Sequence, residues 1–366
     1  MKNVLISGYY GSKNGGDEAM LAAILQTLRE LDGEINFTVI SLNTEYTKQR
    51  HNVEAVAWWN VFAIVKKILS ADLLISGGGS LLQNVTSRRS LYYYLGIIFL
   101  AKIFGKKVML YAQGIGPIRG TLAHKLMNWI VNRVNLITVR DKGSLEELTR
   151  LQITRPKIFC TADPVLAIKP VSLEVGQKIL SQHNLQLTTY NLPLKIGVSV
   201  RRWMHWENCR SQLTKALDKL VEELGAEIIF LPMQFPEDVK AAKLTADLMQ
   251  KKSTVIDEEL STAEILSLVG CMDILISIRL HALIFAGVMG VPMLGISYDP
   301  KIERFLDSID EKPVGTLADV TAEKIFDCVK EKISAGKNFH YNAQLKNLNE
   351  LALTNAKLAV ELLNQK

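Results

Sequence analysis

Short apolar runs alternate along this chain with longer segments of helical period, and they do so in two successive series. In the first series, runs at 4–7, 37–41, 73–76, 107–112, 136–139 and 157–160 are separated by amphipathic stretches such as 17–31 and 122–133. The second begins after Pro170, with runs at 195–200, 227–231, 254–256, 273–278 and 293–296. Strands that are apolar on both faces and separated by helices form a parallel sheet with helices on each side. The expected fold class is α/β, two Rossmann-like doubly wound domains whose strand C-terminal ends face a cleft. A chain of 366 residues with 48% hydrophobic content is long enough for two such cores. The boundary is expected in Asp163-Pro164-Val165-Leu166-Ala167-Ile168-Lys169-Pro170, where two prolines bracket an extended segment. Domains at 1–168 and 169–341 follow, with a helix-like stretch at 342–366 placed to pack back on the first domain.

Charge narrows the partners. The net charge of +6 comes from 43 basic and 37 acidic residues, dispersed without the dense basic run of a nucleic-acid arm. Anionic small molecules and an anionic membrane surface stay open as partners, and nucleic acid does not. Cys160, Cys209, Cys271 and Cys328 are far apart and give neither a metal-ligand spacing nor a disulfide framework. The chain reads as cytoplasmic and reduced, because Met1-Lys2-Asn3 leads directly into a strand and leaves no room for a signal peptide. The apolar run 91–101 is too short to span a bilayer.

In open α/β sheets ligands bind beyond the strand C-terminal ends, so those turns are where chemistry is sought. After the first strand comes Gly8-Tyr9-Tyr10-Gly11-Ser12-Lys13-Asn14-Gly15-Gly16-Asp17-Glu18, which lacks the glycine spacing of a dinucleotide site and of a phosphate loop. Gly15 and Gly16 allow close backbone approach, and Asp17 is placed either to cap the next helix or to bind and deprotonate a sugar hydroxyl. Ser76-Gly77-Gly78-Gly79-Ser80 is a second glycine turn, read as leading into a helix. It would expose N–H groups to an anion or polyol, or else serve tight packing. Gln113-Gly114-Ile115-Gly116-Pro117 makes a third, and Val139-Arg140-Asp141 a fourth, where Asp141 caps the next helix while Arg140 faces the cleft, or the two form an ion pair.

The second series ends its strands on cations. Arg201, Arg202 and Trp203 follow one strand, Arg279-Leu280-His281 another, and Lys301 and Arg304 a third. Each alone reads as solvated charge. Together they suit a ligand carrying both phosphate and carboxylate, which guanidinium binds through a rigid fork of donors.

The ordered set Gly15-Gly16-Asp17-Glu18, Gly77-Gly78-Gly79-Ser80, Gln113-Gly114-Ile115-Gly116-Pro117, Arg140-Asp141, Asp163-Pro164 and Ser277-Ile278-Arg279-Leu280-His281 resembles that of polysaccharide pyruvyltransferases. Within them it is most similar to the CsaB-like branch, which ketalises cell-wall polymer for anchoring S-layer proteins. The resemblance runs from Gly8 to about Arg304. It implies a GT-B-like glycosyltransferase architecture, phosphoenolpyruvate as donor, and a lipid-linked saccharide containing N-acetylmannosamine as acceptor. The implied product is a 4,6-linked pyruvate ketal, and the enzyme would work at the inner membrane face. By resemblance, Arg279, Leu280, His281 and Arg201, less directly Arg202, contact the donor, while the first domain carries the acceptor. Acceptor contacts are expected from Gly15, Gly16, Asp17, Gly78, Gly79, Ser80, Gln113 and Arg140.

The chemistry assigns roles. His281 is the candidate general acid for the methylene carbon, since imidazole titrates near neutrality. Arg201, Arg279 and Arg304, with Lys301, would hold carboxylate and phosphate, and Asp17 would take the hydroxyl proton. No metal or cofactor is expected. Two rivals share the cationic turns: a sugar-nucleotide-dependent glycosyltransferase, and a non-catalytic binder of anionic glycan or polyprenyl diphosphate. Peripheral membrane contact is expected through Trp58 and Trp59, since adjacent indoles cannot both face one core side of a helix. Burial is the favoured reading for Tyr92 to Tyr94.

Overall fold

The computed structural model describes all residues except 86, 186–192, 205, 336–341 and 366. It divides into two compact units, Met1–Ile168 with Asn347–Lys366, and Lys169–Lys346. The expected end of the second domain, at 341, lies outside the described residues.

The first unit begins β1 (Lys2–Tyr10), α1 (Gly15–Leu31), β2 (Ile35–Ser41), α2 (Thr44–His51), β3 (Glu54–Ala57), α3 (Val61–Ser70) and β4 (Leu73–Ser76). It continues β5 (Gly79–Leu82), α4 (Arg88–Ile103), β6 (Lys107–Ile115), α5 (Thr121–Val131), β7 (Leu136–Val139), α6 (Lys142–Arg150) and β8 (Lys157–Cys160). All paired strands are parallel, in the order β3-β2-β1-β4-β6-β7-β8, with β5 paired to the upper part of β6. Alternate strand residues feed two cores. Leu5, Leu74, Val108 and Ile137 pack under α3 to α6, and Val4, Ile6, Ile75 and Met109 pack under α1 and the C-terminal helix.

In the second unit come α7 (Glu174–Gln182), β9 (Lys195–Ser199), α8 (Trp206–Leu224), β10 (Glu227–Phe230), α9 (Glu237–Ala246), β11 (Ser253–Val255) and α10 (Thr262–Gly270). After them run β12 (Ile274–Ser277), α11 (Leu280–Met289), β13 (Met293–Ser297), α12 (Pro300–Asp307), β14 (Gly315–Thr316) and α13 (Ala322–Ser334). Its parallel sheet has the order β11-β10-β9-β12-β13-β14, the doubly wound pattern. Local chemistry sets the helix ends: a Ser261–Glu264 capping box starts α10, Asp299 and Pro300 start α12, and Gly290 in the left-handed region closes α11.

The last helix, α14 (Asn342–Asn364), belongs to the first unit from residue 347 on. Its Ala356, Ala359, Leu362 and Leu363 enter the core beneath β1 and β4. Burying each leucine is worth about 2 kcal/mol. Fully buried Asn355 accepts from Thr161 Oγ1 at 2.7 Å and donates to Ala162 O at 3.1 Å, which fixes the helix to the end of β8.

Candidate functional site

In the first sheet the strand order reverses between β1 and β4, the point at which an open α/β sheet leaves a crevice for ligands. The loop after β1 is shaped from within. Glu18, 5% exposed, folds back so that Oε1 accepts from the Gly11 N–H at 2.8 Å and Oε2 meets His51 Nε2 at 2.8 Å. The helix cap expected of Asp17 is made instead by Asn14, whose Oδ1 accepts from the Gly16 N–H at 3.1 Å. Asp17 therefore lies inside the first turn of α1, where a carboxylate suits the helix dipole. Its Oδ1 lies 3.5 Å from where a β-carbon on Gly79 would stand. Burial, and after it the charge of Asp17, raises the Tyr10 hydroxyl well above its ordinary pKa, and Tyr94 is raised for the same two reasons.

The second glycine turn leads into strand β5, not into a helix. Its glycines are buried and mostly answer to packing: a β-carbon on Gly77 would overlap Tyr10 Oη, and one on Gly78 would sit 3.0 Å from Met20 Sδ. Gly79 has φ +101°, a conformation that favours glycine. Ser80 is exposed. Gln113, expected to contact the acceptor, is fully buried beneath this turn, with Nε2 bonded to Ser76 O at 3.2 Å and also to Gly77 O. It holds the turn in place.

Arg140 is likewise drawn inward, with a side chain 7% exposed. Asp141 caps α6, as the sequence suggests, accepting from the Ser144 N–H, and stays 3.9 Å from Arg140. The closer partner is Asp163, at 2.9 Å, and Arg140 Nη2 also donates to Ser80 Oγ at 3.1 Å. The first unit thus brings Gly15, Gly16, Asp17, Gly79, Ser80 and Arg140 to the C-terminal edge of one sheet, with Gln113 as support.

In the second sheet the reversal falls between β9 and β12, and the two arginines read from the sequence flank it. The Ile278 N–H bonds Ser199 O at 3.1 Å, so the turns carrying Arg201 and Arg279 leave adjacent strands at the same level. The Arg201 guanidinium lies 4.7 Å from the Trp203 ring centroid and 5.1 Å from that of Tyr298, and Nη1 donates to Tyr298 Oη at 2.8 Å. Its Nε is buried and makes no hydrogen bond among the described residues. Lys301 Nζ stands 5.3 Å from the Tyr298 ring and 3.5 Å from Asp299. Arg202 and Arg304 are exposed.

Arg279 departs from the free fork expected of it. It is buried, with Nε on Asp238 Oδ2 at 2.9 Å, Nη2 on Asp238 Oδ1, and Nη2 also on Gln234 Oε1 at 3.1 Å. Asp238 in turn accepts from the Met233 and Gln234 N–H groups. Arg279 is also the N-cap of α11, and no side chain caps that helix, so Leu280 and His281 open a helix N-terminus. His281 is partly buried there. Glu18, His51, Asp163, Asp238, Gln234 and Tyr298 all shape these edges, yet sequence reasoning gave none of them a role. Each acts across a long sequence separation or from outside a strand-end motif. Among the described residues no group of three or more His, Cys, Asp or Glu could hold a metal ion.

Two Rossmann-like units with glycine turns at one switch point and arginines at the other place the chain in the GT-B-like α/β class. Within that class it belongs to the polysaccharide pyruvyl transferase family, whose family model matches residues 14–300. It is 22% identical to the amylovoran biosynthesis protein AmsJ of Erwinia amylovora, over 81% of this chain and 84% of that one. Among solved structures, the UDP-GlcNAc 2-epimerase of Methanocaldococcus jannaschii is similar at TM-score 0.68 and 13% identity, over 99% of this chain and 100% of that one. The S. aureus MnaA–UDP co-structure is similar at 0.67 and 11%, over 100% and 99%. At such identities these structures speak for the fold alone.

Proposed function

We propose that this chain transfers the pyruvyl group of phosphoenolpyruvate to a saccharide, forming a cyclic ketal on two hydroxyls and releasing phosphate. The observation that best supports this is the edge of the second sheet, where Arg201 and Arg279-Leu280-His281 leave adjacent strands beside an uncapped helix start. Phosphoenolpyruvate presents a phosphate and a carboxylate, which match a guanidinium held between two rings and the free N–H groups of α11. Arg279 would meet the donor with the part of its guanidinium that Asp238 and Gln234 do not engage, and Lys301 and Arg304 would add positive charge.

His281 would deliver a proton to the methylene carbon, which becomes the methyl group of the product. One acceptor hydroxyl then bonds to the adjacent carbon and a second displaces phosphate. The two hydroxyl protons balance the one gained by carbon and the one leaving with phosphate. On the first unit Asp17 would take the first of these protons, with Ser80 as an exposed acceptor contact. The acceptor proposed is the CsaB-like one, a lipid-linked saccharide containing N-acetylmannosamine, ketalised at its 4 and 6 hydroxyls.

The test is incubation with phosphoenolpyruvate and an N-acetylmannosamine-containing disaccharide, followed by mass analysis and phosphate assay. The expected result is a pyruvyl adduct with stoichiometric phosphate, lost in His281→Ala at an unchanged unfolding midpoint. UDP release from a sugar nucleotide in place of phosphate release would overturn the reading.

A further inference from the structure

The chain segment that carries α3, α4 and α5, the helices covering one face of the first sheet, has a charge unlike that of the rest of the molecule. Between positions 55 and 140 there are eleven Lys and Arg and a single acid, Asp72, a net +10 where the entire chain carries +6. The remainder of the chain is therefore net acidic. Lys66, Arg88, Arg89, Arg119 and Lys125 are exposed, and none of them takes part in an ion pair among the described residues.

The helix ends sharpen the contrast. The first turns of α3, α4 and α5 contain no acidic residue, and α4 opens on Arg88 and Arg89. Cations at a helix N-terminus oppose the dipole, so this arrangement costs stability within the fold. Each of these helices leaves a strand's C-terminal end and returns to the opposite edge, which puts all three N-termini at the edge where the first-unit site lies.

Large apolar side chains stand at the same helix starts. Phe62 is 91% exposed, Trp59 69%, Leu122 62%, Val61 58%, Trp58 44% and Tyr92 38%. The two tryptophans sit in a turn ahead of α3, not on a helix, and Trp58 is braced from behind by Tyr93, whose ring packs edge-on at 5.9 Å and whose hydroxyl donates to Trp58 O at 3.0 Å. Of the expected buried run only Tyr94 is buried. Lys102 and Lys106 bond backbone carbonyls at 3.0 and 2.7 Å at the far edge of the sheet, and so do not belong to this surface.

We propose that the outward side of α3–α4–α5, at its N-terminal ends, docks onto an anionic bilayer surface. Exposed aromatic and aliphatic side chains enter the interface and the unpaired cations meet lipid headgroups. A second copy of this chain is a poor occupant, because two such faces carry like charge. No helix among the described residues is long and apolar enough to cross a membrane, so the contact is peripheral. This inference stands on the surface alone and does not rest on the proposed reaction, to which it would add where the acceptor is met.

The experiment is co-sedimentation of the full chain with vesicles of phosphatidylcholine alone and of phosphatidylcholine with phosphatidylglycerol in equal parts. Binding to the anionic vesicles, weakened by salt, is expected. Phe62→Ser with Trp59→Ser, and separately Arg88→Glu with Arg89→Glu, should each weaken it at least about tenfold. Unchanged melting is expected, because these side chains are exposed. The inference is overturned if the parent does not bind anionic vesicles, or if the variants bind as the parent does. It is equally overturned if sedimentation without lipid shows a dimer that Phe62→Ser dissociates. Transfer to a soluble saccharide, measured in parallel, keeps the two proposals apart: vesicle binding by a parent that transfers nothing supports this surface and refutes the reaction.

Discussion

Gly77 illustrates how a residue at a ligand-binding edge can be dictated by packing. The Tyr10 ring lies against Gly77, and a β-carbon there would overlap its hydroxyl oxygen. That oxygen is buried and makes no hydrogen bond among the described residues, so it is a destabilising group in its own right. Gly77→Ala is expected to cost about 1–3 kcal/mol in urea unfolding, as overpacking does. Tyr10→Phe alone should be neutral or stabilising by about 1 kcal/mol. In the Tyr10→Phe background the nearest atom to the new methyl is the ring carbon Cζ, at 3.1 Å, and Gly77→Ala should cost less. Equal costs in both backgrounds would show that Tyr10 does not dictate the glycine. The sequence displays the glycine run but not its reason, because the tyrosine that demands Gly77 reaches it through the fold.

Among elements, strands such as β1, β6, β9 and β12 were legible because each is an apolar run buried on both faces, whereas β3, β5 and β14 were not. Two of these, β5 and β14, are held by few register pairs, and β5 begins within a glycine run that reads as a turn. Positions at strand ends are local information, so Arg201, Arg279 and His281 could be read. The partners that orient them could not, since Asp238 lies 41 residues from Arg279 in the chain. That pair joins the first turn of α9 to the N-cap of α11, with side chains 2% and 9% exposed. Asp238→Ala should destabilise by about 3–5 kcal/mol, because it leaves a buried guanidinium without its counter-charge. Asp238→Leu combined with Arg279→Met should recover most of that loss while remaining inactive in transfer. If the double variant were as unstable as Asp238→Ala, the cost would lie in lost loop contacts to Met233 and Gln234 and not in the charge.

Across the whole molecule, charge looked dispersed when read along the chain, and only the fold sets Lys66, Arg88, Arg89, Arg119 and Lys125 together on or beside one helical layer. The same scale governs the response to pH, since groups whose fold keeps them neutral occur in both units. Burial pushes the Cys209 thiol of the second unit from its ordinary 9.0 up to about 12, and Cys271 up to about 11. In the first unit burial pushes Tyr93 from 10.0 to about 12, and raises Tyr10, Tyr94 and Tyr111 as well. All are acids whose folded pKa is raised. Between the two pKa values the unfolded chain binds fewer protons than the native one, so stability falls with rising pH. The contribution is complete below pH 9.0, is lost to the thiols first as pH rises from there, and falls more steeply above pH 10.0 as tyrosines join. Urea unfolding measured from neutral pH to about pH 11 should show this two-stage decline. Cys209→Ala, despite its cost at neutral pH, should flatten the first stage, and Tyr93→Phe the second. Stability that stays level through this range in the parent, or variants that decline in parallel with it, would mean that these buried groups ionise as easily in the folded chain as outside it.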